Sequence, residues 1–258
     1  MKRILIFTIA LFLCVAQVNA QVPAKEFSDL PLTHSNYVAV KFLTTEGILK
    51  GYEDGKFHPE NLVNRAEAIK IIIEGNKILT DAKTTEDVFK DVKPQDWFAK
   101  YIAKAKEIAI INGNPDGTFA PGRNVSRSEF IKMLLSANGF KKESWENQEL
   151  FNDIPKGAWF TPYMNYAGQA GLLEKDEKNN LYPAQQLTRG EVAEIMYLLI
   201  VIKNGKDTQF LIDQAESQMA QIEIYIAATD PVGAKKASEL AFDVTQQAYK
   251  NKPDDKVV

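Results

Sequence analysis

Apolar positions recur along this chain at a fixed interval of 62 residues, without gaps. Ile48, Ile110 and Leu172 form one set, Leu49, Ile111 and Leu173 a second, and Val63, Val125 and Leu187 a third. Other residue types keep the same register: Phe27, Phe89 and Phe151; Pro59, Pro121 and Pro183; Asp29, Asp91 and Asp153; Arg65, Arg127 and Arg189. So many matches in one register exclude coincidence, and three copies of one unit occupy roughly 27–204. Each copy opens with Phe-x-Asp and an aliphatic residue. A stretch with apolar residues at helical spacing follows, Trp97 to Ile108 in the second copy. A loop of backbone breakers comes next, Asn112-Gly113-Asn114-Pro115-Asp116-Gly117, then extended Phe119-Ala120-Pro121.

A second helix is predicted to start at Ser126 and at its counterparts Asn64 and Thr188. Glu67, Glu129 and Glu191 stand three places later, which makes a capping box: cap side chain and N3 carboxylate satisfy each other's orphan N–H groups. That structural role accounts for these six residues without a ligand. Ile131, Leu134 and Leu135 give the helix a buried face, and Asn204-Gly205 stops the third copy. Two short helices cannot bury an apolar face alone, so neighbouring copies must complete the core. A mainly α fold with little or no strand follows. Beyond the repeats, Leu211, Ala215, Ile222 and Ile226 form one stripe, and Ala237, Ala241, Val244 and Ala248 another. Asp230-Pro231 between them reads as a cap and a first-turn proline. This predicts a helical hairpin, whose stripes close on the third repeat, on each other or on a partner.

The N-terminus changes where the protein is expected to be. Lys2 and Arg3 precede an apolar run from Ile4 to Ala16, and Val18-Asn19-Ala20 fits a signal peptidase site. Cys14, the single cysteine, lies inside that run after Leu13, which does not suit lipidation. The mature chain is then expected to have no disulfide, thiolate metal site or cysteine nucleophile, and no transmembrane helix once the signal is removed. Losing Lys2 and Arg3 leaves 29 basic against 34 acidic residues, net −5, which argues against nucleic acid as a partner.

Candidate chemistry gathers on the repeated polar residues. Arg65, Arg127 and Arg189 each take the first helical position, where the helix dipole disfavours a cation by about 0.3–1 kcal/mol. A bound anion would offset that cost, and so would an internal carboxylate from Asp29, Asp91, Asp153 or a neighbouring repeat. The aspartates suit sugar hydroxyls or a cap on the first short helix. Trp97 and Trp159 occupy matching positions, with Ser35 in the first copy and Tyr37 nearby. They suit either a sugar face or the core. The second loop begins like a calcium loop, but its twelfth position from Asn112 is Arg123, where a bidentate carboxylate is needed. His34 and His58 alone make no zinc set. No metal, cofactor or catalytic residue is expected.

The loops Gly51-Tyr52-Glu53-Asp54-Gly55-Lys56-Phe57-His58-Pro59 and Gly113 to Pro121, with Asn64-Arg65-Ala66-Glu67 and its counterparts, resemble S-layer homology motifs. The resemblance covers about 180 of 258 residues. The third copy departs from it, reading Lys175-Asp176-Glu177-Lys178-Asn179-Asn180 in its loop. The resemblance implies three repeats forming a pseudo-three-fold helical spindle. It also implies grooves in which Arg65, Arg127 and Arg189 contact an acidic, often pyruvylated, sugar of a peptidoglycan-linked cell-wall polysaccharide. Asp29, Asp91, Asp153, Trp97 and Trp159 would shape those grooves.

The expected organisation is a signal peptide over 1–20, repeats over 27–82, 89–145 and 151–204, and the hairpin over 206–250. The expected function is a secreted, non-catalytic envelope anchor associated with the cell wall or S-layer. The alternative is a scaffold that binds an envelope protein, or itself, through the C-terminal helices. A glycosidase would need two carboxylates across a cleft, and the best-placed carboxylates here have capping roles.

Overall fold

The computed structural model describes residues 27–80, 87–143, 145–146 and 148–251; the expected signal peptide lies outside them. The described residues form α1 (Tyr37–Thr45), α2 (Arg65–Gly75), α3 (Ala99–Glu107), α4 (Arg127–Ala137), α5 (Thr161–Gln169), α6 (Arg189–Lys203), α7 (Thr208–Ala227) and α8 (Pro231–Asn251). Strand pairing among them is limited to isolated bridges. Each repeat supplies a first helix (α1, α3, α5) and a second (α2, α4, α6).

The second helices set the architecture. Asn64, Ser126 and Thr188 each accept the N3 amide, and Glu67, Glu129 and Glu191 each accept the cap amide in return. The N1 and N2 amides remain without a partner in their own repeat. The next repeat supplies one, in cyclic order. Arg65, Arg127 and Arg189 donate their N–H to the carbonyls of Arg123, Gln185 and Asn61 at 2.9, 2.7 and 2.8 Å. Ala66, Ser128 and Gly190 donate to Pro121, Pro183 and Pro59 at 3.1, 3.0 and 2.8 Å. Just before the caps, Val125 donates to Val63, Leu187 to Val125, and Val63 to Leu187, at 2.9, 3.2 and 3.0 Å. The third repeat thereby returns to the first, and the ring closes.

Side chains follow the same cycle. α3 packs on α2, α5 on α4, and α1 on α6. Ile69, Ile131 and Ile195, with Val63, Val125 and Leu187, belong to a core shared by all three repeats. Arg65 joins this closure: its Nε donates to the Phe119 carbonyl at 2.9 Å and its Nη1 to Glu129 at 3.1 Å. Its guanidinium lies 4.5 Å from the Phe119 ring centroid. A carboxylate from the next repeat thus offsets the dipole cost of a cation at a helix start.

The Phe-x-Asp aspartates pin the loops. Asp29 accepts the amides of Phe57 and His58, Asp91 those of Phe119 and Ala120, and Asp153 those of Leu181 and Tyr182. His58, Ala120 and Tyr182 have φ of 55°, 58° and 54°. That left-handed conformation costs a residue with a side chain about 1–2 kcal/mol, and the paired hydrogen bonds to one carboxylate hold it. The third loop keeps the turn despite its divergent sequence. Asn179 takes φ 61° where Gly55 and Gly117 take 79° and 84°, a conformation asparagine tolerates.

α7 and α8 pack against each other, and α8 begins at Pro231, with Asp230 accepting the amides of Val232 and Gly233. The expected α8 stripe of Ala237, Ala241, Val244 and Ala248 is buried. The α7 stripe needs correction: Ala215 and Ile222 are half-buried and Ile226 is exposed. The buried face of α7 runs instead through Leu211, Gln214, Gln218, Gln221 and Tyr225. Periodicity of apolar residues cannot find such a face, because its glutamines are buried on polar partners. Gln214 and Gln218 bond the Tyr197 hydroxyl, at 2.9 and 3.3 Å, and Gln221 bonds the Leu32 carbonyl.

Two predictions follow from this bonding. Replacing Arg65 by Ala is expected to lower unfolding stability by about 3 kcal/mol, the low end for a broken buried pair because Arg123 still covers Glu129. Arg123→Ala, at an exposed side chain, should cost less than about 1 kcal/mol. Equal losses in urea titrations would show that Arg65 does not carry the closure. The second prediction concerns acid. The Tyr182 hydroxyl and Asn180 amide hold Asp176 at about 2. Burial pushes Asp29 and Glu129 up, but backbone amides, and for Glu129 the Arg123 side chain, outweigh it and leave both below their ordinary values of 3.8 and 4.5. The unfolded chain binds more protons in that window. The stability these groups contribute is therefore present above the ordinary values and lost as pH falls toward the depressed ones. Urea midpoints should decline below about pH 4; a midpoint that rises on acidification would contradict the assignment.

Candidate functional site

Packing each first helix against the preceding second helix leaves a cleft at each seam. The first is a space of about 300 Å³ between repeats one and two, closed at one end by the third repeat. Trp97, just before α3, stands on its edge with 55% of its surface exposed. Lys70 from α2 lies 5.9 Å from the Trp97 ring centroid. Glu74, one turn on, accepts the Tyr101 hydroxyl at 2.7 Å. Arg189 donates to the carbonyls of Phe57 and Lys50, both at 3.1 Å, and sits 4.7 Å from the ring centroids of Tyr52 and Phe57. Arg65 and Arg127 pair with Glu129 and Glu191. Among the described residues Arg189 forms no ion pair, although Glu67 lines the same cleft.

The second cleft, about 530 Å³, repeats the pattern with Trp159 and Lys132, joined by Lys142, Glu146 and Tyr163. Trp159 is 54% exposed. Burial, and then the neighbouring Arg65, lower the Lys132 ammonium below its ordinary range.

The third cleft is built differently. Ser35 and Asn36 stand where the other seams have Trp97-Phe98 and Trp159-Phe160, and Glu194 stands where they have Lys70 and Lys132. Tyr37 packs partly buried against the core. Arg127 donates to the Leu181 carbonyl at 2.8 Å and to Glu191 at 3.0 Å, while its Nε is buried without a partner. Lys236 and Leu240 of α8 line the same space. Lys236 lies 2.9 Å from Glu174 and 3.7 Å from Glu194. Burial pushes the Glu194 carboxyl above its ordinary range, against the pull of Lys236.

The structure thus brings Trp97 together with Arg189, and places Trp159 alone of the flagged residues in the second cleft and Arg127 in the third. Arg65 and Arg189 are both buried, Arg65 in the ring closure on Glu129 and Arg189 on the Phe57 and Lys50 carbonyls at the wall of the first cleft. Asp29, Asp91 and Asp153 do not line these clefts, since their carboxylates are engaged by loop amides. Two groove residues were missed: Lys70 and Lys132 are 62 apart, a signal present in the sequence but outside the motif pattern. A cleft with an exposed indole, an ammonium and carbonyl-anchored guanidinium can hold an apolar sugar face beside an anionic group. No group of three or more metal-ligating side chains occurs among the described residues, and no helix there is long and apolar enough to cross a membrane.

Comparison with known proteins agrees with this geometry. The family model of the S-layer homology domain matches residues 26–69, 88–131 and 150–193, together just over half of the chain. A cell surface glycoprotein 1 of Acetivibrio thermocellus is 32% identical over 171 residues, 60% of this chain and 7% of that protein. A surface-layer 125 kDa protein of Lysinibacillus sphaericus is 26% identical over 83% of this chain and 19% of its own length. A cellulosome-anchoring protein of A. thermocellus is 30% identical over 55% of this chain and 33% of its own length. The chain therefore spans a third or less of these relatives. With three matched repeats whose helices and loops follow one pattern, the chain belongs to the S-layer homology family.

Proposed function

We propose that this chain is a non-catalytic anchor at the bacterial cell surface that holds a peptidoglycan-linked wall polysaccharide carrying acidic groups. The observation that carries this reading is the pair of exposed indoles, Trp97 and Trp159, each on a cleft that also holds a lysine at the matching position. In the first cleft Arg189 adds a guanidinium with no carboxylate of its own. Anchoring and surface-layer relatives support the same placement, at the cell wall or S-layer. Two weak sites on one rigid body would act together along a polymer, raising avidity well beyond either alone. Arg65, Asp29, Asp91 and Asp153 contribute by holding the repeats and loops in register. Cleavage after Ala20 and the domain limits 27–82, 89–145, 151–204 and 206–250 complete the proposal.

A scaffold role has one observation in its favour: Met219, Ile226, Val232 and Phe242 are exposed on the hairpin. Self-association on a sizing column, without wall binding, would support it.

The deciding measurement is co-sedimentation of the chain from Gln21 onward with host wall sacculi, before and after chemical removal of the attached polysaccharide. Trp97→Ala and Trp159→Ala are each expected to weaken binding about 10- to 100-fold, and together to abolish it. Neither should change unfolding stability by more than about 1 kcal/mol, because both indoles are half exposed. Binding that survives both stripping and the double substitution would sink this mechanism.

A further inference from the structure

The third cleft lacks what the other two share and has α8 as part of its wall. We infer that the C-terminal hairpin is a permanent clasp across the seam between repeats one and three, forming one wall of the third groove and setting that groove apart from the two that carry an exposed indole. This rests on the proposed function only for what the other two grooves bind.

Four observations converge on it. The Trp-Phe pair of the other seams is replaced by Ser35-Asn36, which removes the aromatic edge and leaves room for a helix. The lysine of the other seams is replaced by Glu194, a charge reversal answered by Lys236 of α8. Asn36 also donates to Glu194, at 3.4 Å, and Gly190 makes room for it: a Cβ there would lie 2.3 Å from the Asn36 Oδ1. Finally, α7 holds both the first repeat and, through Gln214 and Gln218 on Tyr197, the third, while Lys236 of α8 pairs with Glu174 and Glu194 of the third. Gln221 donates to the Leu32 carbonyl, the Tyr225 hydroxyl to the His34 carbonyl at 3.4 Å, and Phe210 meets Phe42 edge-on at 6.0 Å.

The location has a physical reason. Repeats one and two, and two and three, are consecutive in the chain. The remaining seam joins segments as distant as Val63 and Leu187, so only non-covalent contacts hold it. A clasp across it strengthens the closure that no linker constrains. The charge also suits a structural seam rather than a site for an acidic glycan. Glu174, Glu191, Glu194, Glu239 and Asp243 line the space against Arg127 and Lys236, an excess that would repel an acidic ligand. Leu211, Val244 and Ala248 belong to the same core as the repeats, which makes the hairpin part of the body.

Hydrogen–deuterium exchange on the full chain tests this without any glycan, so its outcome is independent of whether wall binding is found. In the unmodified protein, amides of 237–248 should be protected to within about 10-fold of those in α6. Lys236→Glu should speed exchange in α8 by about 10-fold or more, leaving α2 and α4 unchanged. Adding Glu194→Lys, which exchanges the two charges, should restore protection to within about 3-fold. Lys236→Met, which keeps much of the stem without the charge, should produce a smaller acceleration in the same segment. Rapid exchange of α8 in the unmodified protein would overturn the inference. So would no acceleration in Lys236→Glu, no recovery on charge exchange, or acceleration shared equally by α2 and α4 in both single variants.

Discussion

The structure depends on a problem that each second helix cannot solve alone. A helix start leaves four amides without intrahelical partners. The capping box satisfies those of the cap and N3 positions locally, and the N1 and N2 amides reach carbonyls of the next repeat. Because each repeat both receives and supplies these bonds, no one of them is complete without its two neighbours. Three is the number at which the sequence Arg65 to Arg123, Arg127 to Gln185 and Arg189 to Asn61 returns to its start. The arginine side chains run in the same direction, each donating to a carbonyl of the next loop.

This arrangement also positions the clefts. Closing the ring sets every first helix beside a second helix of another repeat, so each cleft is lined from more than one copy. The aspartates then fix left-handed residues at His58, Ala120 and Tyr182, which turns the loops that place the Phe57, Phe119 and Leu181 carbonyls under the guanidiniums. Rigidity at the site thus comes from the same bonds that close the fold. The groove walls cannot separate without breaking the ring.

Departures from three-fold symmetry carry the specialisation. At one seam Arg189 is held on loop carbonyls without a carboxylate and lines the same cleft as the exposed Trp97. At the next, Glu129 takes both Arg65 and Arg123, and Trp159 stands with Lys132 over a wider space. At the third, a tryptophan and a lysine give way to Ser35 and Glu194, and α8 forms one wall of a space of about 320 Å³.

The sequence by itself determined the repeat, the helix starts and the hairpin turn. Those depend on residue type at short spacing: a cap three residues before a glutamate, or an aspartate before a first-turn proline. It also marked Trp97, Trp159 and the three arginines, since a 62-residue register makes matching positions visible. It could not say which arginine is left without an ion pair, because that depends on whether a carboxylate of the next repeat bends toward it, as Glu129 does toward Arg65 and Glu191 toward Arg127. It misread the buried face of α7, because the glutamines there are buried on hydroxyl and carbonyl partners supplied from other helices and loops. Local periodicity records only the chain's own apolar stripe. Which groove the hairpin lines is decided by contacts between segments nearly two hundred residues apart, as between Leu32 and Gln221, and only the tertiary structure brings those together.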